Sequence, residues 1–201
     1  LNDNKAPASL GTLNTATGEF TPLFSDPVAE VTQLIWSTDA STLIGAVTEA
    51  GAPKVTLIDE EHPDAALYAS LAAAFDGQKV DFASYTQDGR KILVSVMSDR
   101  NPGQLYLFDR DSGKARPLLA RKPQIDPGKM ASTKPFTFTA RDGQLIHAYL
   151  TLPHGSEGRN LPLIVNPHGG PIGPRDDWSF NPEAQLFASR GYATLQINFR
   201  G

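Results

Sequence analysis

An apolar run cut off by proline and followed by two glycines is the feature that leaves this chain fewest ways to fold. Leu161-Pro162-Leu163-Ile164-Val165-Asn166-Pro167 is rich in branched residues and reads as a buried strand that stops abruptly. His168-Gly169-Gly170-Pro171 follows at once. Consecutive glycines let the backbone turn without Cβ clashes and bring its N–H groups close to another molecule, and proline stiffens the exit. Asn181-Pro182 then has the pattern of an N-cap with proline at the first helical position, and Gly191 falls where a C-terminal cap belongs. A short helix is therefore expected over residues 182–190, with Ala184, Leu186, Phe187 and Ala188 mostly on one side. Residues 192–199 read as another strand. Strand, glycine loop, helix, strand is the opening of an α/β sheet, in which loops at the strand ends carry the chemistry.

The rest of the chain is built differently. Leu10, Gly18, Pro22 and Leu23 match Leu105, Gly113, Pro117 and Leu118 at one constant offset of 95 residues. A shorter period sets Trp36-Ser37-Thr38-Asp39 against Tyr85-Thr86-Gln87-Asp88 at an offset of 49. Each of these is followed by two apolar runs, 43–47 and 55–59 in one copy, 92–96 and 105–109 in the other. Short strands and Asp/Gly turns repeating about every 40–50 residues fit the four-stranded blades of a β-propeller. In that arrangement Trp36 and Tyr85 would pack between neighbouring blades, and Asp88-Gly89 would turn a hairpin. Residues 63–75 break the pattern. Asp64 followed by an alanine- and leucine-rich stretch predicts a helix inserted between blades, with Asp64 as its N-cap. Fewer than three blades fit, against about four to eight in a closed ring, so the propeller is incomplete on its N-terminal side.

Proline, glycine, lysine and serine accumulate over residues 123–135, which reads as a linker. Beyond it, Phe136 to Ala140, the turn Arg141-Asp142-Gly143, and the run from Leu145 to Leu152 read as a β-hairpin entering the second sheet. The expected architecture is an all-β, incomplete propeller portion over 1–130, followed over 131–201 by the first strands and helix of an α/β domain.

The net charge of −4, with both signs interspersed, gives no basic stripe for nucleic acid. No apolar run approaches the ~20 residues of a membrane span. With no cysteine there are no disulfides, thiolate metal sites or cysteine nucleophile. The chain starts at Leu1 without an initiator methionine or signal-peptide pattern, as an internal segment would. The composition is that of a soluble protein, and cytoplasm and periplasm both accommodate it. His62, His147, His154 and His168 have no metal-ligand spacing, and Glu60-Glu61-His62 and Asp176-Asp177 read as solvated charges, so no metal or cofactor is expected. His147 reads as a half-exposed structural residue on an alternating strand. For Trp178, lining a site mouth and packing on a loop fit equally. Arg200 is a candidate partner for an internal carboxylate.

Three motifs in order carry a specific resemblance. Residues Pro162 to Pro171, then Ala188-Ser189-Arg190-Gly191-Tyr192-Ala193, then Gln196-Ile197-Asn198-Phe199-Arg200-Gly201, closely resemble the opening of the α/β-hydrolase domain in prolyl oligopeptidase family serine peptidases. Within that family the acylaminoacyl-peptidase and dipeptidyl-aminopeptidase branch is most similar. Thr139-Ala140-Arg141-Asp142-Gly143 and Ala148-Tyr149-Leu150-Thr151-Leu152-Pro153 resemble the hairpin that begins the domain there. The resemblance implies a peptide substrate, an acyl-enzyme and a propeller that restricts access to short peptides. It also implies an oxyanion-hole donor on this glycine loop: the Gly170 N–H first, Gly169 second, with His168 supporting the loop. Catalysis in this fold needs a serine on a Gly-x-Ser-x-Gly elbow, then an acid and a histidine. No such elbow occurs in these residues. This polypeptide alone is therefore expected to be inactive, needing the remainder of the hydrolase domain with its Ser, Asp and His as a partner. A carboxylesterase and a non-enzymatic propeller binding module are the alternatives, and oligomeric state stays open.

Overall fold

The computed structural model describes residues 7–170 and 173–199, and Pro171, Arg200 and Gly201, singled out above, lie outside them. The chain is mostly strand. A hairpin of β1 (Leu10–Leu13) and β2 (Phe20–Phe24) is followed by a three-stranded meander of β3 (Val31–Trp36), β4 (Leu43–Thr48) and β5 (Lys54–Leu57). After helix α1 (Pro63–Ala74) comes a four-stranded meander, β6 (Lys79–Tyr85), β7 (Lys91–Met97), β8 (Gln104–Asp109) and β9 (Lys114–Ala120). The last sheet contains β10 (Ser132–Thr139), β11 (Leu145–Leu152), β12 (Leu163–Val165) and β13 (Ala193–Asn198), with α2 (Pro182–Ser189) joining β12 to β13.

Both sequence offsets reappear as geometry. At 95 residues, β1–β2 corresponds to β8–β9: Asn14 Oδ1 accepts the N–H groups of Ala16 and Thr17, and Asp109 Oδ1 those of Asp111 and Ser112. At 49 residues the β3–β4 and β6–β7 turns share one hydrogen-bond pattern. Ser37 donates to Asp39 and Thr86 to Asp88, and the same carboxylates accept from the Ser41 and Arg90 N–H groups. The turn needs a left-handed residue after the aspartate. Gly89 supplies it at φ 66°, whereas Ala40 adopts it at φ 57°, where its Cβ crowds the following carbonyl. Ala40→Gly is expected to raise stability by about 0.5–1 kcal/mol, relief of strain outweighing the added freedom of the unfolded chain. A denaturant midpoint that stays put or falls would contradict this.

Helix α1 is core rather than appendage. Its buried residues Asp64, Ala65, Tyr68 and Leu71 lie on one face. Leu71 joins Val80, Ile92, Val94, Val96 and Phe108, while Ala65 and Tyr68 join Ile35, Ile44 and Val47. The helix thus welds two meanders that could not each bury their apolar faces alone. Tyr68 also donates to the Val80 carbonyl at 2.7 Å. The N-cap is not Asp64. With Pro63 at the first helical position the cap falls on His62, whose Nδ1 accepts the Asp64 N–H at 3.1 Å. Asp64 turns inward, accepts the Thr38 N–H (2.6 Å) and hydroxyl (2.8 Å), and pairs with Arg110. Trp36 and Tyr85 also depart from expectation, being 44% and 38% exposed. Trp36 follows a break in strand register, and both border the cleft between β3 and β6. The buried aromatic contact is made by Tyr68 against Phe82, edge to face at 5.5 Å.

In the last sheet the strand order is β10-β11-β13-β12, with β12 and β13 parallel. The expected hairpin is present, but β10 starts at Ser132, inside the stretch read as linker. Pro135 obscured this, since proline cannot complete a two-sided ladder; β10 lies at the sheet edge, where proline is tolerated. Helix α2 follows its signals closely. The Asn181 side chain accepts the Glu183 and Ala184 N–H groups at 3.0 Å. At the other end Gly191, at φ 86°, donates to Ala188 O while Tyr192 donates to Phe187 O, a Schellman cap. The buried face differs from expectation. It comprises Ala184, Gln185 and Ala188, and Leu186 is 54% exposed. Gln185 is buried because its amide meets three backbone groups: it accepts from Ala131 N–H and donates to the carbonyls of Ala131 and Asp99.

Candidate functional site

Strands β12 and β13 run parallel, so both deliver their following loops to the same end of the sheet. The Asn166 N–H extends the ladder by one rung to Leu195 O at 2.8 Å. Proline then stops pairing, and the chain crosses to α2 as a long loop. Gly169 and Gly170 lie exposed on it, and among the described residues neither N–H finds an acceptor. A Cβ placed on Gly169 would meet nothing within 4 Å.

His168 faces inward while the glycines face out. Its ring stacks on Phe199, with centroids 4.2 Å apart and planes 17° from parallel. Nδ1 stands 2.6 Å from the Gly169 carbonyl, and since a carbonyl only accepts, Nδ1 carries the hydrogen. Nε2 is buried without a partner among the described residues. These contacts tie the ring to the loop backbone and to Phe199.

Eight residues on from His168, Asp176 ties the loop to β13. Its N–H donates to Asn198 Oδ1 at 2.8 Å, Asn198 Nδ2 returns a bond to its carbonyl at 2.9 Å, and Gln196 Nε2 donates to Oδ1 at 2.6 Å. Burial pushes the Asp176 carboxyl up, with Gln196 and His168 pulling it back and Asp177 adding to the rise. Asp176 is therefore structural, contrary to its reading as a solvated charge. The signal was present in β13, where two amides alternate along a strand that should be apolar.

Trp178 resolves as a wall. Its backbone N–H donates to Glu49 Oε1 and its Nε1 to Thr133 O, both at 3.0 Å. The indole borders a cleft of about 320 Å³ with Tyr68, Ala72, Val55 and Val80. His147 is also structural, Nδ1 lying 3.1 Å from Ala50 O, and Tyr149 donates to Gly51 O at 3.1 Å. Burial, with the Glu49 carboxylate next, pushes the Tyr149 phenol up to about 12, so it stays a donor at any ordinary pH. Among the described residues no group of three or more His, Cys, Asp or Glu could hold a metal ion.

No protein-family model matches the chain. It is 31% identical over 123 residues to dipeptidyl aminopeptidase BIII of Pseudoxanthomonas mexicana, covering 58% of this chain and 18% of that protein. Over 190 residues it is 30% identical to dipeptidyl peptidase family member 6 of Caenorhabditis elegans, covering 84% of this chain and 25% of the relative. The structure matches a crystal structure of a puromycin hydrolase variant complexed with PGG at TM-score 0.61 and 25% identity, over 98% of this chain and 30% of that one. The chain thus spans a quarter or less of the length of these curated relatives.

Proposed function

We infer, from the premise that this chain belongs to the prolyl oligopeptidase family, that it forms part of a serine peptidase hydrolysing short peptides or acylated N-terminal residues through an acyl-enzyme. Residues 1–130 are the last blades of the propeller and 131–201 the opening of the hydrolase domain. The observation that carries this reading is the pair of exposed glycine N–H groups, without an acceptor among the described residues, at the shared end of two parallel strands. In that position the Gly170 N–H donates to the oxyanion that develops as serine attacks the acyl carbon, with Gly169 as second candidate. His168 holds the loop from beneath, and Asp176 anchors it to β13. The nucleophile, acid and general base come from outside these residues, which contain no Gly-x-Ser-x-Gly. No helix among the described residues is long and apolar enough to cross a membrane.

The test compares kcat/KM of the full-length protein on peptide anilides and on acyl esters, with the isolated 201-residue chain as control. Turnover of peptides at least matching that of esters by the full-length protein, and none by the isolated chain, is expected. A much higher value on esters would make it a carboxylesterase, and no turnover of either substrate would favour a binding module.

A further inference from the structure

The turn between β4 and β5 reaches across to the last sheet. Its Ala50 carbonyl meets His147 Nδ1 and its Gly51 carbonyl accepts the Tyr149 hydroxyl, both at 3.1 Å on β11. These two contacts dock the turn. Glu49, the first residue after β4, does something different: its side chain passes the docking surface and accepts the main-chain N–H of Trp178 at 3.0 Å. Trp178 belongs to the glycine loop itself. Two residues earlier, both main-chain polar groups of Asp176 are held by Asn198. The loop is therefore pinned on one side by its own sheet and on the other by a carboxylate from a different one. A hydrogen bond from a backbone N–H to a carboxylate is charge-assisted and short-ranged, so it fixes position as well as contributing energy.

We propose that Glu49 is a positioning residue for the oxyanion loop, acting from the propeller turn on the backbone that presents Gly169 and Gly170. This rests on the oxyanion reading of that loop. An oxyanion donor works over a narrow range, about 2.7–3.1 Å from the developing charge, and a misplacement of about 1 Å can cost on the order of 10²-fold. Because Asp176 continues to hold the loop when Glu49 is removed, the displacement is partial and the loss smaller.

The experiment measures kcat and KM of the full-length protein carrying Glu49→Ala, Glu49→Gln and Glu49→Asp, beside Gly170→Ala and Gly169→Ala. Glu49→Ala is expected to lower kcat about tenfold with KM within about twofold, which is about 1.4 kcal/mol of transition-state stabilisation. Glu49→Gln keeps a side-chain acceptor at the same reach and restores kcat. Glu49→Asp keeps the charge but is one methylene short, and it behaves as Glu49→Ala does; it decides the matter if the alanine variant does not fold. Unchanged kcat in both shortened variants, with Gly170→Ala impaired, overturns the proposal and leaves the loop reading intact, even if the unfolding midpoint falls. Unchanged kcat in Gly170→Ala and in Gly169→Ala as well overturns both.

Discussion

Gly170→Ala is expected to lower kcat of the full-length protein by about 10²–10³-fold while KM changes little. The substitution keeps the N–H, so its effect comes from moving the donor relative to a charge that exists only in the transition state. Loss of one such donor is worth about 2.7–4 kcal/mol, and ground-state binding does not use it. Gly169→Ala is the control for crowding, since a Cβ there meets nothing within 4 Å. If Gly169→Ala is the more damaging of the two, the donor assignment moves to Gly169. If neither matters, the loop is an ordinary turn.

Asp64→Ala is expected to destabilise the protein by about 3 kcal/mol, the lower end of the roughly 3–5 kcal/mol seen when one partner of a buried ion pair is removed. The lower end applies because the Arg110 side chain is 30% exposed and part of its charge reaches water, while that of Asp64 is 5% exposed. Removal leaves the Thr38 N–H without its partner and strips Arg110 of its carboxylate. Three elements then lose their common anchor: α1, the β3–β4 turn and the residue after β8. Asp64→Asn keeps one carbonyl acceptor and loses less. The same group makes stability pH-dependent. Burial pushes the Asp64 carboxyl up, but the Thr38 and Arg110 hydrogen bonds outweigh it and hold it below the usual carboxylate value of 3.8. A carboxyl depressed on folding stabilises above its unfolded pKa, and this contribution drains away as pH falls below about 4 through the folded value. Denaturant unfolding at pH 7 and pH 3 checks both statements: the deficit of Asp64→Ala should shrink at the lower pH, and a deficit that is constant or absent would contradict them.

What could be read from the residues depended on whether the signal was local. The two offsets were legible because each turn encodes itself within five residues, as Ser37-to-Asp39 and Thr86-to-Asp88 do with identical bonds. Helix α2 was legible for the same reason, with Asn181 and Gly191 at its ends. Asp64 was misread because a carboxylate near a helix start looks like a cap, and only the fold brings Arg110, 46 residues on, to claim it. Gln185 was missed because its three partners are 54 and 86 residues away. The glycine loop itself was visible at once; its supports, Asp176 and Glu49, were not, since a polar loop residue and a turn carboxylate carry no mark of the backbone they hold.

The most direct test of the peptidase assignment is a fluorophosphonate label on the folded full-length protein, followed by denaturing intact-mass analysis and localisation of the adduct. A single covalent adduct is expected, on a serine outside the 201 residues of this sequence, and none on the isolated chain. Absence of an adduct on protein shown to be folded, or an adduct on one of this chain's own serines, would contradict the assignment.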